Sequence, residues 1–247
     1  MDAQQLRADM EADRTARQAE ILFYQNQVEL ARSDPDKDRM RRALVLLLYA
    51  HYEGFTKFAF AAYISAVNAE GLKCAEANSA IVAAALSELF KELRNPQPIS
   101  GLLRGPVPED SALMRFARER EFVERAYEFL DLSVVLTDSF VETEWNLKPP
   151  VLRKLLYRLG LDTESVSAEH GRIEELVNRR NNIAHGSDVS GISEATYIAL
   201  RDSSFRVMSA IARVIGEAAE GRKHLKAAPA SFGASEQSYQ ASVHPAR

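Results

Sequence analysis

The residues best suited to chemistry in this sequence lie between Asn178 and Gly186, in the run Asn-Arg-Arg-Asn-Asn-Ile-Ala-His-Gly. Arg180 and His185 stand five residues apart, roughly 140° of rotation on an ideal helix, so both would line one wide groove. A guanidinium holds phosphate, and a histidine exchanges protons near neutral pH. RNA cleavage without a metal ion needs these two functions.

The residues around Arg180 and His185 predict the local structure that carries this pair. Gly186 indicates that the helix ends directly after His185, because glycine readily takes the left-handed conformation found beyond helix ends. The partial negative charge at a helix C-terminus favours the imidazolium form of His185. Asn181 can orient His185 or bind phosphate, and Arg179 adds positive charge. A plain helix cap is the structural alternative, since about one chance Arg-to-His match is expected in a chain with five histidines.

The elements that position this stretch begin with two long helices. Residues 2–32 contain no Pro or Gly and form a modestly amphipathic pattern, and Ser33–Asp36 interrupts it with capping residues and a proline. The strongest helical signal follows, over 37–70, and its middle is apolar on nearly all sides. Such a helix lies at the centre of a bundle or in an oligomer interface. Gly54 within it predicts the close approach of another helix.

Two polar side chains on this second helix are further candidates. His51 and Glu53 can face the same cleft as Arg180 and support the site from behind the residues that bind substrate. The structural alternative is equally specific, because a histidine on an apolar face is usually a satisfied core group. Glu53 also has Lys57 as a helical i,i+4 partner.

The remaining pattern predicts helices, one extended stretch and one loop. The helices are expected at about 78–94, 109–130, 151–159, 165 or 167 to 184, and 194–220. Residues 131–148 are rich in β-branched side chains and predict a short extended piece or hairpin, with Trp145 as a packing anchor. Residues 99–108 predict a loop. In the 109–130 helix, glutamates interleave with the arginines, which indicates solvated ion pairs rather than an RNA-binding patch.

Bulk properties limit the classes of protein and partner. The 247 residues carry a formal net charge of −4 and are 46% hydrophobic, so any nucleic-acid contact should be local. A single cysteine excludes an internal disulfide and favours a cytoplasmic address. No His/Cys spacing suggests a metal, no cofactor is implied, and no apolar run is long enough to span a membrane. The N-terminus does not resemble a signal peptide.

These observations predict one all-α domain over residues 1–221, followed by a mobile tail over 222–247. The core of its helical bundle is expected from 37–70, 167–184 and 194–220. The tail is predicted from its shift to Ala, Ser, Gln and Pro with few large apolar residues.

Two motifs resemble one known family. The run from Arg180 to His185, with a polar residue after the arginine, is similar to the Arg-x4–6-His signature of the HEPN family. The segment Tyr49–Phe55, which reads Tyr-Ala-His-Tyr-Glu-Gly-Phe, resembles a helix of one HEPN branch in which an aromatic residue follows the histidine. The intervening run 146–161 resembles the same branch.

The resemblance implies a homodimer in which two Arg180/His185 pairs face each other across a cleft. The implied activity is metal-independent endoribonuclease cleavage, serving phage defence or a toxin–antitoxin pair with a neutralising or sensor protein nearby. Arg180 and His185 would be catalytic, with Asn181 and Arg179 binding substrate. Ser187 departs from HEPN toxins that carry a modified tyrosine there. The alternative is a non-catalytic HEPN-like dimer that binds a protein or nucleotide.

Overall fold

The computed structural model describes residues 1–94, 111–143 and 146–227. Within these ranges the chain forms nine α-helices and two short 3-10 helices, with no β-strand beyond two isolated bridges, which confirms the all-α class. The predicted loop at 99–108 and the Trp145 anchor lie outside the described residues. The helices are α1 Ala3–Glu29, α2 Asp34–Asn68, α3 Ser79–Ala85, α4 Ser87–Arg94, α5 Ser111–Glu124, α6 Ala126–Asp131, α7 Pro149–Arg158, α8 His170–Ala184 and α9 Glu194–Glu220.

Helix α2 is the centre of the bundle, as its apolar sequence predicts. It packs against α1, α8 and α9, and α1 also packs against α9, so the first helix belongs to the core with the three predicted elements. The α2 aromatics fill the interior, and the largest fully buried ones are Tyr49, Tyr52, Phe55, Phe60 and Tyr63. One strip of α2 nevertheless stays exposed, at Leu46 and Ala50.

Local capping chemistry sets the ends of the long helices. The Ser33 side chain accepts a hydrogen bond from the Asp36 N–H at 3.3 Å, and a proline occupies the first turn of α2. Ser193 caps α9 in the same way, through the Thr196 N–H. The Ser33 cap matches the sequence prediction, because a cap depends only on residues within one turn of it.

The close approach predicted at Gly54 is made by a side chain of α1. A Cβ added to Gly54 would lie 2.5 Å from an Nη atom of Arg17. The absence of a side chain on α2 therefore makes room for the guanidinium of its neighbour.

The sequence predicts a short extended piece or a hairpin over 131–148. The described part of this stretch forms no hairpin but an irregular strap, with extended backbone at Leu132, Thr137 and Glu142. Ser133 makes one isolated bridge to Lys73, and Asp138–Val141 is a 3-10 helix. The side-chain amide of Asn68 bonds both the N–H and the C=O of Leu136, at 2.8 and 2.9 Å. Val134, Leu136, Phe140 and Val141 of the strap are buried against the bundle, whereas Leu132 and Val135 are exposed.

Three predicted helices differ from the structure in continuity. The helix expected at 78–94 breaks at Leu86, and the one expected at 109–130 breaks at Arg125; both residues leave the helical backbone conformation. Residues Glu164–Glu169 form a 3-10 helix, so α8 begins at His170 rather than at residue 165 or 167. Such breaks redirect the chain within one turn and leave little trace in hydrophobic periodicity.

The chain after α9 remains attached to the bundle for several residues beyond Gly221. His224 is fully buried with its Nε2 atom 3.1 Å from Glu70, and its C=O accepts the Asn78 N–H. The Lys226 N–H donates to the C=O of Glu76. The first residues of the predicted mobile tail are therefore held against the bundle, which differs from the prediction. Residues 228–247 lie outside the described part. Among the described helices, none combines the length and apolarity that a membrane crossing requires.

Candidate active site

The candidate motif occupies the last turns of α8 and the cap that follows it. His185 is the C-cap residue, and its backbone N–H donates to the C=O of Asn181 at 2.9 Å. Gly186 has a φ of +73°, the left-handed conformation predicted from the sequence. The Ser187 N–H then returns to the C=O of Asn182. This cap fixes the backbone at His185.

Arg180 is half-buried and lies over an aromatic ring of α2. The Cζ atom of its guanidinium is 4.2 Å from the centroid of the Tyr49 ring, and one Nη donates to the Asn181 Oδ1 at 2.7 Å. A cation over a ring face is attracted to the electrons of the ring. No carboxylate pairs with Arg180 in the part of the chain that the structure describes. The guanidinium is thus held in place while its charge remains unneutralised.

Tyr49 is itself fixed at its hydroxyl end. The Leu147 N–H donates to the Tyr49 hydroxyl at 2.9 Å, and Glu53 lies beside the same oxygen. Burial raises the pKa of Tyr49 to about 12, with a further contribution from Glu53. The phenol therefore stays neutral at physiological pH and acts as a rigid platform for Arg180.

Glu53 extends this network away from Arg180. It accepts a hydrogen bond from the Thr143 hydroxyl and pairs with Lys57 at 3.0 Å, which confirms the predicted i,i+4 pair. Burial opposes ionisation of Glu53, but the bonds from Thr143 and Lys57 outweigh it and hold the carboxyl pKa below its usual value. Glu53 is therefore an anion that lies next to Tyr49, behind Arg180.

Asn181 connects α8 to the segment that precedes α7. Its Oδ1 accepts from Arg180, and its Nδ2 donates to the Asn146 Oδ1 at 3.3 Å. These bonds orient Arg180, and the phosphate-binding role expected for Asn181 stays a prediction.

The other predicted site residues lie in different surroundings. The Arg179 Nε donates to Glu175 at 3.0 Å, so part of its charge is neutralised within α8. His51 points to α1, with its Nε2 atom 3.4 Å from Glu20, because residues 49 and 51 fall on opposite sides of a helix. Glu53 therefore lies on the side of α2 that faces Arg180, and His51 lies on the opposite side.

His185 is exposed, and within the described ranges its imidazole makes no hydrogen bond. The ring is free to meet a substrate or a second chain. Among the described residues no three His, Cys, Asp or Glu side chains are placed to hold a metal ion.

Sequence reasoning missed three residues of this network: Tyr49, which contacts Arg180, Asn146, which bonds Asn181, and Thr143, which bonds Glu53. Tyr49 and Asn146 lie in segments similar to the HEPN branch, so the resemblance pointed to these segments but gave neither residue a role. Thr143 lies in the irregular strap and carried none.

Comparison with known proteins agrees with this geometry. Residues 12–217 match the family model described as RiboL-PSP-HEPN, a range that contains α2, α8 and most of α9. Neither the curated proteins nor the solved structures contain a match. Because the match covers most of the 247 residues, the chain belongs to the HEPN family, in the group described as RiboL-PSP-HEPN.

Proposed function

We propose that this protein is a metal-independent endoribonuclease that acts as a homodimer. The observation that carries the proposal is the environment of Arg180, a half-buried guanidinium held by a ring and an amide rather than by a carboxylate. His185 follows at the end of the same helix, about one and a half turns away. A fixed, unneutralised cation beside an exposed imidazole suits the binding and cleavage of a phosphodiester.

The reaction follows from these two groups. The 2′-hydroxyl oxygen of the RNA attacks the neighbouring phosphorus, and a base removes its proton as the new P–O bond forms. The bond from phosphorus to the 5′-oxygen breaks, and an acid returns a proton to that oxygen. Arg180 stabilises the negative charge that grows on the phosphorane oxygens. The products are a 2′,3′-cyclic phosphate and a 5′-hydroxyl.

The dimer supplies the second proton-transfer group. One chain provides a single His185, whereas a two-fold axis beside α8 provides two. The exposed strip of α2, formed by Ala43, Leu46 and Ala50, is apolar and runs beside Tyr49. Small residues flanking an exposed leucine suit the close approach of a second copy.

A non-catalytic dimer that binds a protein or a nucleotide is the second candidate. The freedom of the His185 imidazole favours it, because catalytic histidines are often oriented by a hydrogen bond at the second ring nitrogen. In this reading Arg180 would hold a nucleotide phosphate without cleaving it.

One experiment separates the two candidates. His185→Ala should reduce the cleavage rate of a single-stranded RNA by about 10²–10⁴-fold, the range for loss of an acid–base group, with the thermal midpoint unchanged. The exposed Asn182→Ala on the same turn is the matched control and should cleave normally. Cleavage should persist in EDTA and leave cyclic phosphate ends. A wild-type protein that binds nucleotide but cleaves no RNA would support the binding module instead.

We place this activity in phage defence or in a toxin–antitoxin pair, with a neutralising or sensor protein as partner. The support is the HEPN membership together with the resemblance of the two motifs. Expression of the wild type should then slow cell growth, and expression of His185→Ala should not.

A further inference from the structure

Helix α7 differs from the rest of this acidic chain in its charge. Residues 146–161 contain four basic side chains and no acidic one, although the protein carries a net charge of −4. By contrast, residues 111–131 of α5 and α6 contain four basic and five acidic side chains. The α7 segment is thus a local cationic surface, of the kind that contacts phosphates in a protein without a broad basic face.

Three exposed side chains of α7 share one face. Arg153 and Lys154 precede Tyr157 by four and three residues, so they lie beside it on the helix surface. Tyr157 is 75% exposed, although the rest of the helix buries leucines against the core. We call these three residues the α7 strip. An exposed aromatic ring between two cations offers stacking for a base and charge for the flanking phosphates.

The α7 strip is connected directly to the candidate active site. Leu147 and Asn146, immediately before α7, bond Tyr49 and Asn181, and α7 starts at Pro149. Arg153, in the middle of α7, lies 3.4 Å from Glu164, which precedes α8. Helix α7 therefore runs from the end of α8 that carries Arg180 towards the N-terminal end of α8.

The dimensions and charges fit a nucleic-acid strand. Ten residues of helix span about 15 Å. A stacked strand advances about 3.4 Å per nucleotide, so this length corresponds to roughly four nucleotides. The pair between Arg153 and Glu164 is exposed on both sides, and such pairs are weak, so a phosphate can replace the carboxylate at little cost.

We propose that the α7 strip binds the single-stranded RNA that extends from the Arg180 site, with a base stacked on Tyr157 and phosphates on Arg153 and Lys154. The identity of the ligand rests on the proposed function. The strip would set how strongly longer substrates bind, while Arg180 and His185 act at the scissile phosphate.

The test measures binding separately from cleavage. In a His185→Ala background, the affinity for a fluorescein-labelled single-stranded RNA of about twelve nucleotides is measured by fluorescence anisotropy, a length within the range of single-strand sites. Lys154→Gln combined with Tyr157→Ala should weaken binding about tenfold or more. Losing one phosphate contact should also reduce the slope of log affinity against log salt by about 0.7. Tyr157→Phe, which keeps the ring, should bind like the parent.

The matched control is Arg120→Gln combined with Tyr127→Ala on α5 and α6, where the tyrosine is 84% exposed and the arginine is exposed too. It changes charge and aromatic content equally and should alter affinity by less than about twofold. Unchanged affinity in the α7 variant overturns the proposal, as does an equal loss in the control. Loss of binding to polyglutamate but not to RNA would assign the strip to an acidic protein. Absence of cleavage by the wild type would reject the ribonuclease proposal while leaving this binding result intact.

Discussion

The two sides of α2 hold the same residue types in opposite electrostatic environments. On the side facing α1, Arg17 forms two hydrogen bonds with Asp13, at 2.6 and 3.1 Å, and His51 lies 3.4 Å from Glu20. On the side facing α8, Arg180 rests on the Tyr49 ring and on an amide. Each side therefore has an arginine close to α2, but among the described residues a carboxylate neutralises only the one on the α1 side.

This difference separates a packing role from a binding role. Arg17 and Asp13 form a partly buried pair, and unlike an exposed pair it must be broken at a cost before the arginine can hold a phosphate. Arg180 keeps its charge available because a ring and an amide fix its position without cancelling it. The same contrast applies to the histidines, since His51 is enclosed between helices and His185 is exposed at a helix end. The α8 side is the one organised to receive an anion.

The largest effect is expected from Arg180→Lys. The ammonium keeps the charge but loses the planar fork and its stacking on Tyr49, so RNA cleavage should fall roughly 10²–10³-fold. Loss of the ring contact should cost about 1–2 kcal/mol of stability, which lowers the thermal midpoint by a few degrees. Cleavage rate and thermal midpoint are measured on the same preparation.

Arg17→Lys is the matched control on the other side of α2. It changes an arginine next to the same helix, yet it should leave the cleavage rate unaltered because Asp13 occupies that guanidinium. If Arg17→Lys and Arg180→Lys reduce cleavage equally, the distinction between the two sides is wrong.

A second prediction concerns the exposed strip between these two sides. Leu46→Glu places a charge on the apolar strip and should raise the dimer dissociation constant by about 30-fold or more, corresponding to about 2 kcal/mol for a central interface residue. Cleavage at low protein concentration should fall in proportion to the loss of dimer, as followed by light scattering. Val135→Glu, at another exposed apolar position, should change neither. A monomer that still cleaves RNA would remove the paired-histidine mechanism.

A third prediction separates the Tyr49 ring from its hydroxyl. Tyr49→Leu removes the platform beneath Arg180, and loss of a desolvated cation–π contact of about 1–2 kcal/mol should slow cleavage about tenfold. Tyr49→Phe keeps the ring but leaves the Leu147 N–H without its acceptor, which should cost about 1–3 kcal/mol of stability with little change in rate. Rate and urea midpoint are compared for both variants. Equal rates in Tyr49→Leu and the wild type would show that the ring does not position Arg180.

Local features were predictable from the sequence, and long-range contacts were not. The cap at Ser33, the end of α8 at Gly186 and the Glu53–Lys57 pair depend on neighbours within a turn. The central place of α2 followed from its all-round apolar pattern. These signals fixed the class of fold and the position of the motif.

The partners of Arg180 could not be predicted in this way. Tyr49 reaches Arg180, and Asn146 reaches Asn181, only after α2, α8 and the strap before α7 have packed together. The sequence placed His51 and Glu53 together as candidates, but two residues of separation put them on opposite sides of the helix, and only packing reveals which side faces α8. The β-branched residues of the strap left an extended piece and a hairpin as alternatives, and only the packed structure shows that its described part forms no hairpin.

The smallest effect is expected on the α1 side, in the pH dependence of stability. Burial lowers the pKa of His51 below its usual value of 6.5; Arg17 acts in the same direction, and Glu20 and Asp13 oppose them. Above pH 6.5 the imidazole is neutral in both the folded and the unfolded state and contributes nothing to the difference. As the pH falls below 6.5, the unfolded chain binds the proton first, so the free energy of unfolding decreases until the folded pKa is passed.

His51→Gln removes the titrating group and should flatten the curve of unfolding free energy against pH between pH 7 and 5, as measured by urea unfolding. A steeper loss of stability in His51→Gln than in the wild type would mean that the pair with Glu20 outweighs burial, and the α1 side would then hold its histidine as a charged partner.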